Sequence, residues 1–332
     1  MGISTMFPVR RTSRTVRTSR TRRTGLLVTT VAVAASAVVA AVTPASAGDG
    51  RAPGGGTGAD GVLLAASLRG ANEVPTPGGP AVGDKDGAAL QFVKVKGDKV
   101  SVAVKWRGTG RPTALHLHQG ARGSNGAVKI DFTGLLKSRG PGRTVTGTVQ
   151  VDDPALLDRL TSDPTSFYAN LHTARFPGGA VRGRLHRITV ASFDFRDALD
   201  NVQASVLKGR QIYACKPAAD GGYAFAQRDV SAVLGGAIAH SFVAPDSGTP
   251  QWIAPDRSAV TGAVLSRTPN GDGNIPELDL RATSSGKERG LLAGTTEILR
   301  LNTVGGVAPA GPCTPGAVVG VPYQADYVFL GV

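Results

Sequence analysis

The chain is short of cysteine, of aromatics and of catalytic signatures. It holds only two cysteines in 332 residues, Cys215 and Cys313, and neither lies near the amino-terminal apolar stretch, which excludes a lipid-carrying cysteine there. Phe, Trp and Tyr make up 5% of the residues, so there is no recognisable groove of interleaved basic and aromatic side chains on which nucleic-acid bases would stack. No nucleophile elbow, phosphate loop, dinucleotide fingerprint or helical zinc motif is present. Carboxylates are too scattered to nominate a glycosidase pair. Near the C-terminus no long apolar run offers a membrane anchor.

The first 47 residues lack acid altogether while carrying seven arginines. Gly25–Val42 is apolar, rich in Ala and Val, and ends just before Ala45, Ser46 and Ala47. A basic start, an apolar middle and small residues at the end are the layout of a secretory signal, so removal of residues 1–47 is expected. The competing reading is an uncleaved anchor, since the stretch approaches the spanning length of about 18 to 20 residues, although Thr29, Thr30 and Ser36 dilute it. Thr21, Arg22, Arg23 and Leu26 resemble part of a twin-arginine signal, which leaves both export routes open. Taking the seven arginines from the formal +13 leaves +6 for the mature chain, and most of the support for a nucleic-acid partner goes with them. The expectation is a secreted, extracellular protein with no nucleic-acid partner and no membrane attachment after cleavage. In that oxidising setting a lone cysteine pair is most simply a Cys215–Cys313 disulfide. It would close a loop of about 100 residues and contribute on the order of 4 to 5 kcal/mol in the chain-entropy treatment.

What is present is mostly strand. Residues 48–61 form a Gly-rich flexible leader. After it, Val100, Val102, Val104 and Trp106 alternate with Lys99, Ser101, Ala103 and Lys105, and Gly97 and Asp98 turn the chain back to residues 90–96. Val145, Gly147, Val149 and Val151 alternate with Thr144, Thr146, Thr148 and Gln150 in the same way. Such strands, buried on one face and wet on the other, belong to antiparallel sheets. One short helix interrupts them: Asp153 is a good N-cap, Pro154 suits the first turn, and Leu156, Leu157 and Leu160 recur at helical spacing. The mature length of about 285 residues suggests two domains. The predicted fold is all-β, with two antiparallel sandwich-like or barrel-like domains at 62–188 and 195–332, and the helix in the first.

The most informative stretch is His116, Leu117, His118, Gly120, Asn125 and Gly126, matched later by Asn170, Leu171, His172, Thr173 and then Phe176 to Gly179 with Arg182 and Gly183. His116 and His118 lie on one strand face, roughly 6 to 7 Å apart along it, while Leu115 and Leu117 point the other way. His172 likewise opposes Leu171. Neutral imidazoles suit zinc or copper, and three of them leave a position open for water or substrate. The alternative is that the three rings only hydrogen-bond loop backbone and the chain holds no cofactor. Pro177, Gly178 and Gly179 make a tight turn between two strands, and Arg182, on the face of Arg184 and His186, is placed to hold a carboxylate or a loop carbonyl.

Together with Leu68, Gly70, Glu73, Val74 and Pro75, these residues resemble, in order, the pattern of a CHRD domain, the chordin-type module found widely in secreted bacterial proteins. The likeness covers 62–188. It implies an extracellular module for adhesion or ligand binding without naming an activity. The histidines also resemble, locally, the paired copper-binding histidines on the sandwich of copper-zinc superoxide dismutases. A bridging histidine and the Asp-containing zinc loop of those enzymes are missing.

In the second half, Tyr213, Cys215, His240, Gln251, Trp252, Asp256, Ser258, Gly262, residues 301–306, Cys313 and residues 321–329 resemble domain of unknown function 3455, covering 195–332. The family pattern leads one to expect Trp and apolar residues near Ile275 and Pro276, where Glu277 and Asp279 stand instead, so the burial of that strand is in question. Asn270, Asp272 and Asn274 resemble the start of a calcium loop, but Ile275 and Arg281 occupy the positions that need Gly and Glu, and the segment reads as a polar turn. His240, an exposed Trp252 and Asp256 would make a cleft for a sugar. The leading expectation is a non-catalytic secreted binding protein with an unknown extracellular ligand, either protein or cell-envelope polysaccharide. Its rivals are a copper or zinc protein, with dismutase-like chemistry as one form of it, and a cell-wall carbohydrate binder.

Overall fold

The computed structural model describes residues 61–137, 142–189, 194–219 and 221–331. The expected signal, the twin-arginine resemblance and all but the last residue of the expected Gly-rich leader therefore lie outside the described residues. Among the described residues no helix is long and apolar enough to cross a membrane.

The first part is a single nine-stranded sheet, curled around its own core. Its strands are β1 (Val62–Arg69), β2 (Ala88–Lys96), β3 (Lys99–Arg107), β4 (Pro112–Gln119), β5 (Ala127–Asp131), β6 (Thr144–Gln150), β7 (Phe167–Thr173), β8 (Val181–Arg184) and β9 (His186–Arg187). Spatial order is β5-β4-β7-β8-β1-β2-β3-β6, with β9 also beside β1, and every strand pair is antiparallel. The hairpin at Gly97 and Asp98 pairs Lys96 with Lys99, and Gly97 has the positive φ of 60° that such a turn favours. Val100, Val102, Val104 and Trp106 all face the core. The helix α1 (Pro154–Ser162) begins where Asp153 accepts a hydrogen bond from Leu156 N at 2.9 Å, and it buries Leu156, Leu157 and Leu160 against that core.

The second part is a closed antiparallel barrel of eight strands in sequence order: β10 (Val202–Pro217), β11 (Tyr223–Leu234), β12 (Ile238–Phe242), β13 (Pro250–Ile253), β14 (Ala259–Thr268), β15 (Glu277–Ser284), β16 (Glu297–Gly305) and β17 (Val318–Leu330). Closure comes from β17 returning to pair with β10, Val202 opposite Phe329. The disulfide forms between Cys215 and Cys313, whose Cα atoms are 5.7 Å apart. The bond pins the loop before β17 to the β10–β11 hairpin, where Cys313 N also donates to Tyr223 O at 3.2 Å. The Asn270 to Asn274 segment is a polar turn, with Asn270 Nδ2 donating to Thr303 O at 2.8 Å and Asn274 Nδ2 to Asn270 O at 2.9 Å.

The expectation that β3 leaves one face wet needs correction. Ala103, on that face, is buried together with Ala65, Leu90 and Phe92 from the sheet and Leu299, Leu301, Val328 and Leu330 from the barrel wall. This shared core joins the two parts. Around it, Asp326 accepts from Ser67 Oγ at 2.7 Å, Arg69 NH2 at 2.6 Å and Asn302 Nδ2 at 2.8 Å. The doubt over Glu277 and Asp279 is resolved here as well, because both are buried with partners from the first part. Glu277 meets His186 Nε2 at 3.3 Å, and Thr189 Oγ1 donates to Asp279 at 3.3 Å. Burial pushes the Glu277 carboxyl up, but the His186 imidazole and the Asn302 N–H outweigh it and hold the group below its ordinary range.

Candidate metal centre

The polar face of β4 and β7 carries His116, His118, Tyr168, Asn170 and His172. Antiparallel register sets His116 opposite Asn170, His118 opposite Tyr168 and Ala114 opposite His172, so the three imidazoles share one face. Their ring centroids lie 5.6 Å apart for His116 and His118, 5.0 Å for His116 and His172, and 6.3 Å for His118 and His172. One nitrogen from each falls within 4.8 Å of the other two.

Hydrogen bonds fix which nitrogen each ring can offer. A backbone carbonyl only accepts, so His118 Nδ1, 3.0 Å from Gly126 O, and His172 Nδ1, 2.9 Å from Pro177 O, both carry hydrogen. In the neutral rings the Nε2 lone pairs are then free. His172 Nε2 lies 3.3 Å from His116 Nδ1, and His118 Nε2 is buried with no partner among the described residues. His116 Nε2 faces Thr133 Oγ1 at 3.3 Å and Asp131 Oδ1 at 3.4 Å. Each imidazole is thus oriented from behind by a carbonyl or a carboxylate, the arrangement that fixes the tautomer of metal-ligating histidines. Burial, followed by the repulsion of His172, lowers the affinity of His116 for a proton, and burial does the same for His118. Both rings are therefore kept in the neutral form that ligates.

The glycines and polar residues of the motif build the walls. The ring of Tyr168 stacks on His118 at 4.8 Å and 4°, and the Arg182 guanidinium lies 3.5 Å from its centroid. Arg182 donates to Ser124 O at 2.7 Å and to Asn125 Oδ1 at 3.0 Å, so it holds a loop carbonyl, while Asn125 Nδ2 reaches Val74 O at 2.9 Å. A Cβ at Gly126 would lie 1.7 Å from Gln119 O, which is why the loop that delivers the carbonyl to His118 passes through glycine. Gly179, at φ 136°, sits where a Cβ would be 2.6 Å from both carboxyl oxygens of Glu73. Glu73 itself accepts from Asn170 Nδ2 at 3.4 Å, and burial pushes it up to about 8 despite the nearby Arg182. Gly120, Gly178 and Gly183 lie on the same turns and on β8, and Pro75 is exposed beside Val74. Three contributors escaped the sequence reading, namely Asp131, Thr133 and Tyr168. Asp131 and Tyr168 are cross-strand partners of His116 and His118, a relation visible only once register is known.

Of the residues suggested for a sugar cleft, His240 and Trp252 come together and Asp256 does not join them. Trp252 is only 1% exposed and stacks face to face on His240 at 4.4 Å and 6°, inside the barrel. Asp256 instead sits in the β13–β14 turn, accepting from Ser258 N at 2.9 Å and Leu291 N at 2.7 Å. The indole that was to meet a pyranose is core. His240 donates from Nδ1 to Gln251 O at 2.8 Å, and burial pushes its pKa down to about 3.

Fold and site together define an all-antiparallel protein of a curled sheet and a closed barrel, with a three-histidine cluster on the sheet. Residues 64–185 match the model of the CHRD domain, and residues 228–331 match that of the family described as Protein of unknown function (DUF3455), so the chain carries both domains in that order. The second match starts inside β11, whereas the barrel is complete only with β10. No curated protein and no solved structure matches the chain.

Proposed function

We propose that the protein is an exported, non-catalytic binding protein whose CHRD domain takes up one zinc or copper ion on His116, His118 and His172. The observation that carries this reading is the buried, unpartnered Nε2 of His118, aligned by the Gly126 carbonyl and set beside the two other imidazoles. A merely structural histidine would be expected to use both nitrogens. Without an ion, His116 Nδ1–H donates to His172 Nε2 and Thr133 Oγ1 donates to His116 Nε2. With one, the His116 hydrogen moves to Nε2 and falls to Asp131, so His116 is satisfied in both states. Three neutral nitrogens suit borderline metals such as zinc and copper and leave a position for water or a small ligand. Dismutase-like chemistry has less support, because His186 is paired with Glu277 and His240 is inside the barrel, so neither can bridge to a second ion. Export is supported by the disulfide and by the signal-like composition of residues 1–47.

The test is metal content by mass spectrometry on untagged protein from Gly48 onward, after exposure to zinc and to copper, beside a His116→Ala, His118→Ala double variant. The expected result is close to one ion per chain in the parent and none in the variant, with unchanged circular dichroism. Absence of bound metal at micromolar concentration in folded parent protein would sink the proposal and leave the rings as hydrogen-bonding structure.

A further inference from the structure

The barrel is not filled to its axis. A cavity of about 90 Å³ lies among Gln211, His240, Trp252, Arg300 and Tyr327, and reaches solvent past Gln227, Gly248 and Arg267. Its chemistry is lopsided. Trp252 Nε1 and Gln211 Nε2, on side chains only 1% exposed, are buried with no partner among the described residues, and buried orphan donors of this kind call for an explanation. Arg300 gives Nε and one terminal nitrogen to Pro276 O, at 3.2 and 2.8 Å, and its charge lies beside His240 and Tyr327. A second guanidinium, Arg267, stands at the opening. Among the described residues that line the cavity there is no carboxylate, so no opposite charge on the lining answers these two cations. The remaining walls, Val230, Phe242 and Leu280 among them, are apolar.

Two orphan donors, two cations with no carboxylate on the lining, and apolar walls together point to an organic anion. We propose that the barrel mouth binds the carboxylate head of a small organic acid, with Arg300 meeting the charge, Trp252 Nε1 and Gln211 Nε2 donating to the oxygens, and Arg267 drawing the acid in from solvent. The size sets the class. The cavity is smaller than the roughly 150 Å³ that holds benzene, so it takes a carboxylate with a short chain, and any longer tail runs out through the mouth. Inorganic phosphate could use the cations and donors but gains nothing from the apolar walls.

Calorimetric titration of the full mature chain with propionate, with its neutral isostere propionamide and with inorganic phosphate tests this. Propionate should bind, and propionamide and phosphate should not. Trp252→Phe keeps the ring stack but removes the donor, and should weaken propionate by roughly 10- to 100-fold, the usual consequence of losing one hydrogen bond to a charged group. Because Arg300 also supports the Pro276 carbonyl, the charge is probed at the exposed Arg267: Arg267→Gln should leave the melting temperature in place while weakening propionate and flattening its salt dependence. Equal binding of propionate and propionamide, phosphate binding as well as propionate, or no heat at millimolar propionate with folded protein would each overturn the proposal. So would an unchanged affinity in Trp252→Phe.

Discussion

His118 and His240 are set up by the same local device and come to face opposite chemistry. Each donates from Nδ1 to a backbone carbonyl, at 3.0 Å to Gly126 and 2.8 Å to Gln251, and each lies flat on an aromatic ring, Tyr168 or Trp252, within 6° of parallel. Around His118 the neighbours are two more imidazoles, with Asp131 behind one of them. Around His240 they are Arg300 and two unmet donors. A fixed tautomer on an aromatic platform is therefore only a mount. What stands opposite the free nitrogen decides whether the site suits a cation or an anion, which is why the histidine alone is a poor guide to function.

The largest test of the contrast concerns what holds each mount rigid. The barrel is stapled by Cys215–Cys313 and the CHRD sheet is not, yet they share the core of Leu90, Phe92, Leu299 and Val328. Replacing both cysteines by Ala should cost about 4 kcal/mol and, because of that core, should lower one common denaturant transition in which both domains unfold together. Two separated transitions, with only the barrel's displaced, would show that the shared core does not couple them. Next in size is Asp326→Ala, which strips Ser67, Arg69 and Asn302 of their common acceptor. It should cost about 3 kcal/mol, and histidine ring resonances by NMR should stay in place on both mounts if the bond serves the junction alone.

His240 and Glu73 respond to protons with opposite sign. The imidazole of His240 titrates near 6.5 when exposed and is held at about 3 in the barrel, so below pH 6.5 the unfolded chain takes up a proton that the folded one refuses. Its contribution to stability is complete above that value and is lost as pH falls, by about 1.4 kcal/mol per pH unit. The raised carboxyl Glu73 does the reverse: neutral up to about 8 when folded and titrating near 4.5 when unfolded, it contributes below pH 4.5 and loses that contribution as pH rises toward 8. Denaturant stability measured against pH should lose part of its acid-side slope in His240→Asn, whose amide can still reach the Gln251 carbonyl, with His116 and His118 keeping the rest, and part of its alkaline-side slope in Glu73→Gln. Slopes unchanged by either variant would place the titration elsewhere.

How far the sequence reaches follows from the same comparison. The histidine face was legible because it depends on parity: 116, 118 and 172 oppose Leu115, Leu117 and Leu171, and period-two patterning assigns a face without any knowledge of neighbours. Strands β3 and β6 and the helix cap at Asp153 were legible for the same local reason. The cation-lined cavity was not, because it exists only through closure of β10 on β17 across more than a hundred residues, which brings Gln211, Trp252 and Arg300 together. Nor could patterning show that Ala103 and Glu277 lie under the other domain, since an apolar alternation reports one buried face and says nothing of what covers the second.

The smallest effect bears on the carboxylate that distinguishes the first mount from the second. Asp131, whose side chain is 61% exposed, is the group set to take the hydrogen of His116 Nε2 once Nδ1 turns to an ion. Partners behind a ligating histidine typically change metal affinity by about 10- to 100-fold, and exposure puts this one at the low end. Asp131→Asn should therefore weaken zinc about tenfold in competition with a chelator, while leaving apo stability nearly unchanged, because Thr133 still serves the metal-free tautomer. Unchanged zinc affinity would mean that His116 does not ligate through Nδ1, and the three-nitrogen set would lose the member that joins His118 to His172.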